Sequence, residues 1–235
     1  MAVSRMGIVG SGIMGSGIAE VAAKAGSDVV LRSRKQESAD AMVAGLSKSL
    51  AKQVDRGKLD AAVAAEVEGR VTATADLDAL ADCDLVLESV VEDLDVKKAL
   101  FVELDRIVKD GAILATNTST LPVIEMAVET QRPERVLGVH FFNPAPMMSL
   151  VEVVRTLVTS DETVAEATAF ATACGKDPVE VKDRAGFIVN ALLFPYLNNA
   201  VRMLEAGTAS RDDIDIRLHE DRLTITGVRR ERIFA

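Results

Sequence analysis

Over most of the chain, short runs of aliphatic and β-branched residues alternate with longer stretches in which apolar positions recur every three or four residues. The short runs, at 6–9, 29–31, 85–90, 112–115, 136–139 and 150–154, predict strands. Between the first two, Met14, Ile18, Val21, Ala22 and Ala25 keep helical spacing and stop at Gly26, a residue suited to the left-handed position that ends a helix. A helix of about four turns is expected there. Residues 36–56 and 187–206 predict two more helices, the second strongly apolar with Pro195 inside it. Strands alternating with helices imply βαβ units, hence an α/β fold with a mostly parallel, doubly wound sheet. The break at Lys182-Asp183-Arg184-Ala185-Gly186 divides the chain into a first domain, 1–183, and a helical one, 184–235.

Composition narrows the function classes. The chain has 235 residues, 49% hydrophobic and 27% charged, the balance of a soluble globular protein of one or two domains, and no run reaches transmembrane length. Lys and Arg number 27 against 36 Asp and Glu, a net charge of −9, so nucleic acid and anionic membranes are not expected partners. Any polyanionic ligand must find local cations. Cys83 and Cys174 lie too far apart in sequence for a metal clip, and no disulfide framework or metal site is expected. Both read as small buried hydrophobes in a reducing cytoplasm, and the N-terminus runs into a strand without room for a leader. Twelve of the last twenty-five residues, 211–235, are Asp, Glu or Arg, which predicts a solvated helix, a hairpin or a frayed tail.

Gly10-Ser11-Gly12-Ile13-Met14-Gly15 follows the first strand and opens the first helix. Gly10 permits a tight turn, Gly12 lets a pyrophosphate approach the backbone, and Gly15 lets helix pack on strand, with the helix N-terminus facing the anion. In that context the motif points to a Rossmann-like dinucleotide site. Where an acid would hold the ribose 2′-hydroxyl of NAD, eighteen residues after Gly15, stands Ser33 between Arg32 and Arg34. Two guanidiniums around a small hydroxyl suit a 2′-phosphate and favour NADP over NAD. The alternative is a solvated loop indifferent to the cofactor.

Of the two histidines, His140 closes an apolar strand at the edge where α/β ligands bind, whereas His219 lies in the charged tail. Glu152 stands among Val151, Val153 and Val154, and a carboxylate in such a strand needs a partner. His140 paired with Glu152 would make a general base and its orienter; each could also be structural. Thr116 to Thr120 add hydroxyls at the same edge and could cap a helix near Pro122. Asn190 is a polar insertion in the apolar helix. Lys48, Lys52 and Arg56 share one helix face, ordinarily a solvated stripe.

The stretches GSGIMGSGIAE, ATNTSTLP, GVHFFNPAPMMSLVEVV and DRAGFIVNALLFPYLNNAVRMLEAG closely resemble the 3-hydroxyacyl-CoA dehydrogenase family, over about 4–215. The resemblance implies reversible oxidation of an (S)-3-hydroxyacyl-CoA, such as 3-hydroxybutyryl-CoA, to the 3-oxoacyl-CoA. His140 corresponds to the base and Glu152 to its partner, while Ser119 and Asn190 correspond to groups that bond the reacting oxygen and the thioester. Ile13, Met14, Glu92, Lys97, Asn117 and Asn143 fall at cofactor or active-site contacts. The helix face at Ser49, Lys52 and Arg56 corresponds to a coenzyme A site. Family members pair as homodimers through a longer helical C-terminal domain, which here reads as incomplete and altered after Asp215, so a homodimer is doubtful. Two other functions stay open: a cofactor-binding protein impaired in catalysis, and a dehydrogenase of carrier-bound or non-CoA hydroxy acids.

Overall fold

The structure, a computed structural model, describes residues 3–10 and 12–220, the side chains of 216–220 excepted. Ser11, the side chain of His219 and the tail from 221 onward therefore lie outside the described residues.

Eight strands form one sheet: β1 (Arg5–Val9), β2 (Asp28–Arg32), β3 (Val71–Thr74), β4 (Leu85–Glu88), β5 (Ile113–Thr116), β6 (Val136–Phe141), β7 (Leu150–Arg155) and β8 (Asp177–Lys182). Their order is β3-β2-β1-β4-β5-β6-β7-β8. The first six run parallel; β7 is antiparallel to β6, and β8 parallel to β7. The helices are α1 (Ile13–Lys24), α2 (Gln36–Asp55), α3 (Ala61–Gly69), α4 (Leu94–Ile107), α5 (Val123–Ala127), α6 (Asp161–Ala173), α7 (Val189–Glu205) and α8 (Arg211–Glu220).

The two-residue period of the strands divides the core into two layers. Met6 and Ile8 of β1, Leu85 and Leu87 of β4, and Ile113 and Ala115 of β5 pack under α1, α2, α3 and α6. Val9, Val86 and Leu114 face the opposite side, under α4 and α5, with Leu100, Phe101, Leu104 and Met126. Covering both faces is why the central strands read as unbroken apolar runs rather than alternating ones.

Several boundaries differ from the sequence reading. α1 spans 12 residues, a little over three turns rather than about four. The 85–90 run stops at Glu88, and the 136–139 run extends through His140 to Phe141. The apolar C-terminal helix begins at Val189. Cys174 is only partly buried, whereas Cys83 is fully so. β3 and β8 were missed in the sequence reading: one is four residues long, and the other is an exposed edge strand with Pro178 and three charged residues.

The hydroxyls of 116–120 do not cap the helix after Pro122. The carboxylate of Asp183, just beyond β8, accepts instead from the backbone N–H groups of Val123 at 3.1 Å and Ile124 at 2.7 Å. Asp183→Ala is therefore expected to lower stability by about 1–2 kcal/mol, read as a lower urea midpoint at unchanged slope, and Asp183→Asn to recover part of the loss.

Candidate active site

β1 and β4 are neighbours, yet the chain leaves β1 for α1 on one face and β4 for α4 on the other. The divergence opens a crevice at their carboxyl ends, the usual ligand position in such sheets. Gly10 (φ 134°) crosses that crevice so closely that a Cβ would lie 2.2 Å from the Ser89 carbonyl oxygen. Gly12 is the opposite case: a Cβ there would meet nothing within 4 Å. It precedes α1 without capping it through a side chain, so the first N–H groups of the helix are available to an anion. A cleft of about 750 Å³ extends from Gly10 and Gly12 past Arg32, Ser33 and Arg34 to Val90, Val91, Val96 and Leu100. Ser33 is buried, Arg34 exposed, and Arg32 donates through Nε to the Ala75 carbonyl at 3.4 Å. The cradle, the apolar wall and the two guanidiniums fit a dinucleotide. Ile13 is exposed beside the turn, Met14 half-buried, and Gly15 buried beneath it.

His140 and Glu152 are directly opposed in the β6–β7 antiparallel ladder, and opposed residues share a face. That face is the α4–α5 side, since Leu137, Val139, Val151 and Val153 fill the other. His140 Nδ1 lies 2.7 Å from Glu152 Oε2, with both side chains at most 5% exposed. An ionised carboxylate can only accept, so Nδ1 carries the proton and Nε2 of the neutral ring keeps its lone pair. The second oxygen, Glu152 Oε1, accepts from the N–H groups of Ile188 at 2.9 Å and Val189 at 3.0 Å, capping α7 from a distant strand. Burial raises the Glu152 carboxyl, but the bonds from His140, Val189 and Ile188 outweigh it and hold its pKa below 4.5. Phe142 and Phe187 flank the imidazole at ring separations of 4.4 and 5.7 Å. Phe187 sits at φ 49°, a strained conformation for a bulky side chain, and turns the chain into α7 toward Glu152.

Asn190, in the first turn of that helix, donates through Nδ2 to the Ser119 carbonyl at 3.2 Å. The Ser119 N–H donates in turn to Glu92 Oε1 at 2.9 Å, and Thr118 donates its hydroxyl to the same oxygen. Lys97, 1% exposed, lies 3.2 Å from Glu92 Oε2 and 2.7 Å from Glu88 Oε1. Burial raises the Glu92 carboxyl, whereas Thr118, Ser119 and Lys97 together keep it lowered. Asn117 accepts through Oδ1 from the Phe141 N–H at 2.8 Å, tying the same loop to the strand of His140. The cluster depends on Glu88, which the sequence reading missed. Glu88 also accepts from Val90 N–H at 2.6 Å and from the Thr116 hydroxyl at 2.7 Å. The signal was present, since Glu88 ends an apolar strand as Glu152 interrupts one.

Asn143, which precedes a cis proline, opens instead onto a smaller cleft shared with Glu20 and Ser49. Ser49 donates its hydroxyl to Glu20 Oε2 at 2.9 Å, while Lys52 stands exposed farther along α2 and Arg56 just past its end. The catalytic candidates, Glu92, Lys97 and Asn117 thus form one connected group, the Arg32–Arg34 segment lines the larger cleft, and Ser49, Lys52 and Arg56 lie apart, on α2 and at its end.

Residues 5–184 match the family model of the 3-hydroxyacyl-CoA dehydrogenase NAD binding domain, and residues 186–221 match that of its C-terminal domain. The chain belongs to the 3-hydroxyacyl-CoA dehydrogenase family. It is 49% identical over 220 residues to 3-hydroxybutyryl-CoA dehydrogenase of Mycobacterium tuberculosis, covering 91% of this chain and 76% of that one. The corresponding enzyme of Clostridioides difficile is 44% identical over 211 residues, covering 90% and 75%. The solved structure of (S)-3-hydroxybutyryl-CoA dehydrogenase from Ralstonia eutropha is similar at a TM-score of 0.90 and 37% identity, covering 92% of this chain and 77% of that one. As a 3-hydroxyacyl-CoA dehydrogenase family member, the chain is an oxidoreductase with a Rossmann-like NAD-binding domain and a helical C-terminal region.

Because the Glu152 pKa is lower folded than unfolded, its stabilisation is complete above about pH 4.5 and is lost as the pH falls through the folded value. Urea midpoints should show wild type ahead of Glu152→Gln by about 2 kcal/mol near neutrality, with the gap closing only in the acid.

Proposed function

We propose that the protein interconverts a short-chain (S)-3-hydroxyacyl-CoA, such as 3-hydroxybutyryl-CoA, with its 3-oxoacyl-CoA, using NADP(H) in preference to NAD(H). The observation that carries the reaction is the buried His140–Glu152 pair, joined through the first turn of α7 to Asn190 and Ser119 and set beside a dinucleotide crevice. Gly10, Gly12, Arg32, Ser33 and Arg34 would hold the cofactor, with Asn143, Glu92, Lys97 and Asn117 serving its nicotinamide half. When bound, the nicotinamide supplies the hydride acceptor for C3. His140 Nε2 takes the 3-hydroxyl proton as the C3–O bond becomes a carbonyl, and the ionised Glu152 stabilises the resulting imidazolium. Ser119 and Asn190 bond the reacting oxygen and the thioester carbonyl, fixing the substrate against the base. In the reducing direction the same imidazolium returns its proton.

Two features of the site bear on specificity. Arg32 and Arg34 flank a buried serine where an acid would repel a 2′-phosphate, which supports NADP(H). On α2 the Ser49 hydroxyl serves Glu20, so Lys52 and Arg56 are the groups offered to the phosphates of coenzyme A.

Initial rates of acetoacetyl-CoA reduction, followed by absorbance, test the reading. His140→Gln should lower kcat by about a thousandfold, and full turnover by that variant would sink the assignment. Wild type should turn over faster with NADPH than with NADH at equal concentration. Ser33→Asp should shift the ratio of kcat/KM values toward NADH by about tenfold or more; an unmoved ratio would mean that the Arg32–Arg34 segment does not read the 2′-phosphate.

A further inference from the structure

We propose that Lys176, outside every motif, is a positioning residue that latches the loop carrying Phe142 and Asn143. The inference rests on the reading of His140 as the base. Lys176 follows α6 at the foot of β8 and is only 7% exposed. Its Nζ donates to two carbonyl oxygens of the β6–β7 connection, Ala145 at 2.6 Å and Met148 at 2.8 Å. Burial lowers its pKa and Lys24 adds to the lowering, against a pull from Cys174; among the described residues no carboxylate contributes. A buried ammonium without a counter-charge is unfavourable, and a methionine would fill the same space without that penalty. The chemical gain at this position is the pair of carbonyl bonds, which no apolar side chain supplies.

A second contact, with α1, holds the same loop. Gly17 lies inside α1, where glycine weakens a helix, and a Cβ there would come within 3.3 Å of both Ala145 and Pro146. The missing side chain is the room in which the loop seats against α1. Just ahead of these two supports the chain runs from His140 through Phe141 to Phe142, whose ring packs on the imidazole, and Asn143, which faces the smaller cleft. A loop free to shift by an ångström would change the wall against which the base is oriented.

Lys176→Met keeps the stem and removes the ammonium, and Lys176→Arg keeps a cation. Hydrogen exchange of 142–149, kcat and KM with acetoacetyl-CoA, and NAD(P)H affinity by fluorescence are measured on the full chain. In Lys176→Met we expect exchange of 142–149 to quicken about tenfold while β1–β5 are unchanged, kcat/KM to fall about tenfold, and Lys176→Arg to recover most of both. Faster exchange with unaltered kcat/KM would reduce the contact to a structural tie, and unaltered exchange would overturn the latch. Should Lys176→Met fail to fold, Lys176→Gln, which ends in an uncharged amide on a shorter stem, should quicken exchange of 142–149 and lower kcat/KM severalfold; no change in either would overturn the proposal. A wild type without turnover on acyl-CoA would refute the proposed function but not the latch. Exchange of 142–149 then decides, and unaltered exchange in Lys176→Met would overturn it.

Discussion

The site depends on one buried carboxylate. Glu152 bonds the imidazole of His140 with one oxygen and two backbone N–H groups at the start of α7 with the other, so a single group sets the tautomer of that imidazole and the placement of the helix that carries Asn190. Burying a carboxylate among valines is favourable only when every lone pair facing the protein is used, and here three donors meet it. The arrangement requires a left-handed backbone at Phe187, whose strain is borne locally while its ring closes over the imidazole. The same device recurs at α5, which is capped by Asp183 from beyond β8. Both helices begin at carboxylates supplied by remote segments, so their ends report on the assembled sheet rather than on their own sequences.

The Glu88–Lys97–Glu92 cluster extends that logic across the sheet. Glu88 and Thr116 are register partners on β4 and β5, and Glu88 also bonds the N–H of Val90, a residue of the larger cleft. Through Lys97 and Glu92 the cluster reaches the N–H of Ser119. A continuous chain of charge-assisted bonds therefore joins the wall of the larger cleft to the loop that meets Asn190. A buried ion pair of this kind contributes little net stability, but removing one partner leaves the other charge uncompensated, which makes the geometry of the loop sharply defined.

The divergence of α1 and α4 from neighbouring strands places the glycine turn and this cluster at one edge of the sheet. That juxtaposition is a property of strand order: β4 crosses behind β1 to become its neighbour, and everything carried at the carboxyl ends of β1, β4, β5 and β6 converges. The reversal of β7 then brings Glu152 back along β6 and opposite His140, which a parallel strand entering from the far end would not do with so short a connection.

The sequence by itself determined what local physics decides. The glycine turn, the apolar runs of β1, β4, β5, β6 and β7, the 20-residue helix α2 and the unsuitability of Glu152 for solitary burial follow from neighbouring residues. So did the resemblance of HFFNP and GFIVN to a dehydrogenase family. Only tertiary structure decided which partner each buried polar group takes. β3 and β8, one short and the other an exposed edge, are held as strands by the hydrogen bonds that their neighbours offer. Glu88, Asp183 and Lys176 owe their roles to groups 28, 60 and 31 residues away in the chain. Contacts of that separation leave no periodicity to read, because the register that creates them is set by the packing of the whole sheet.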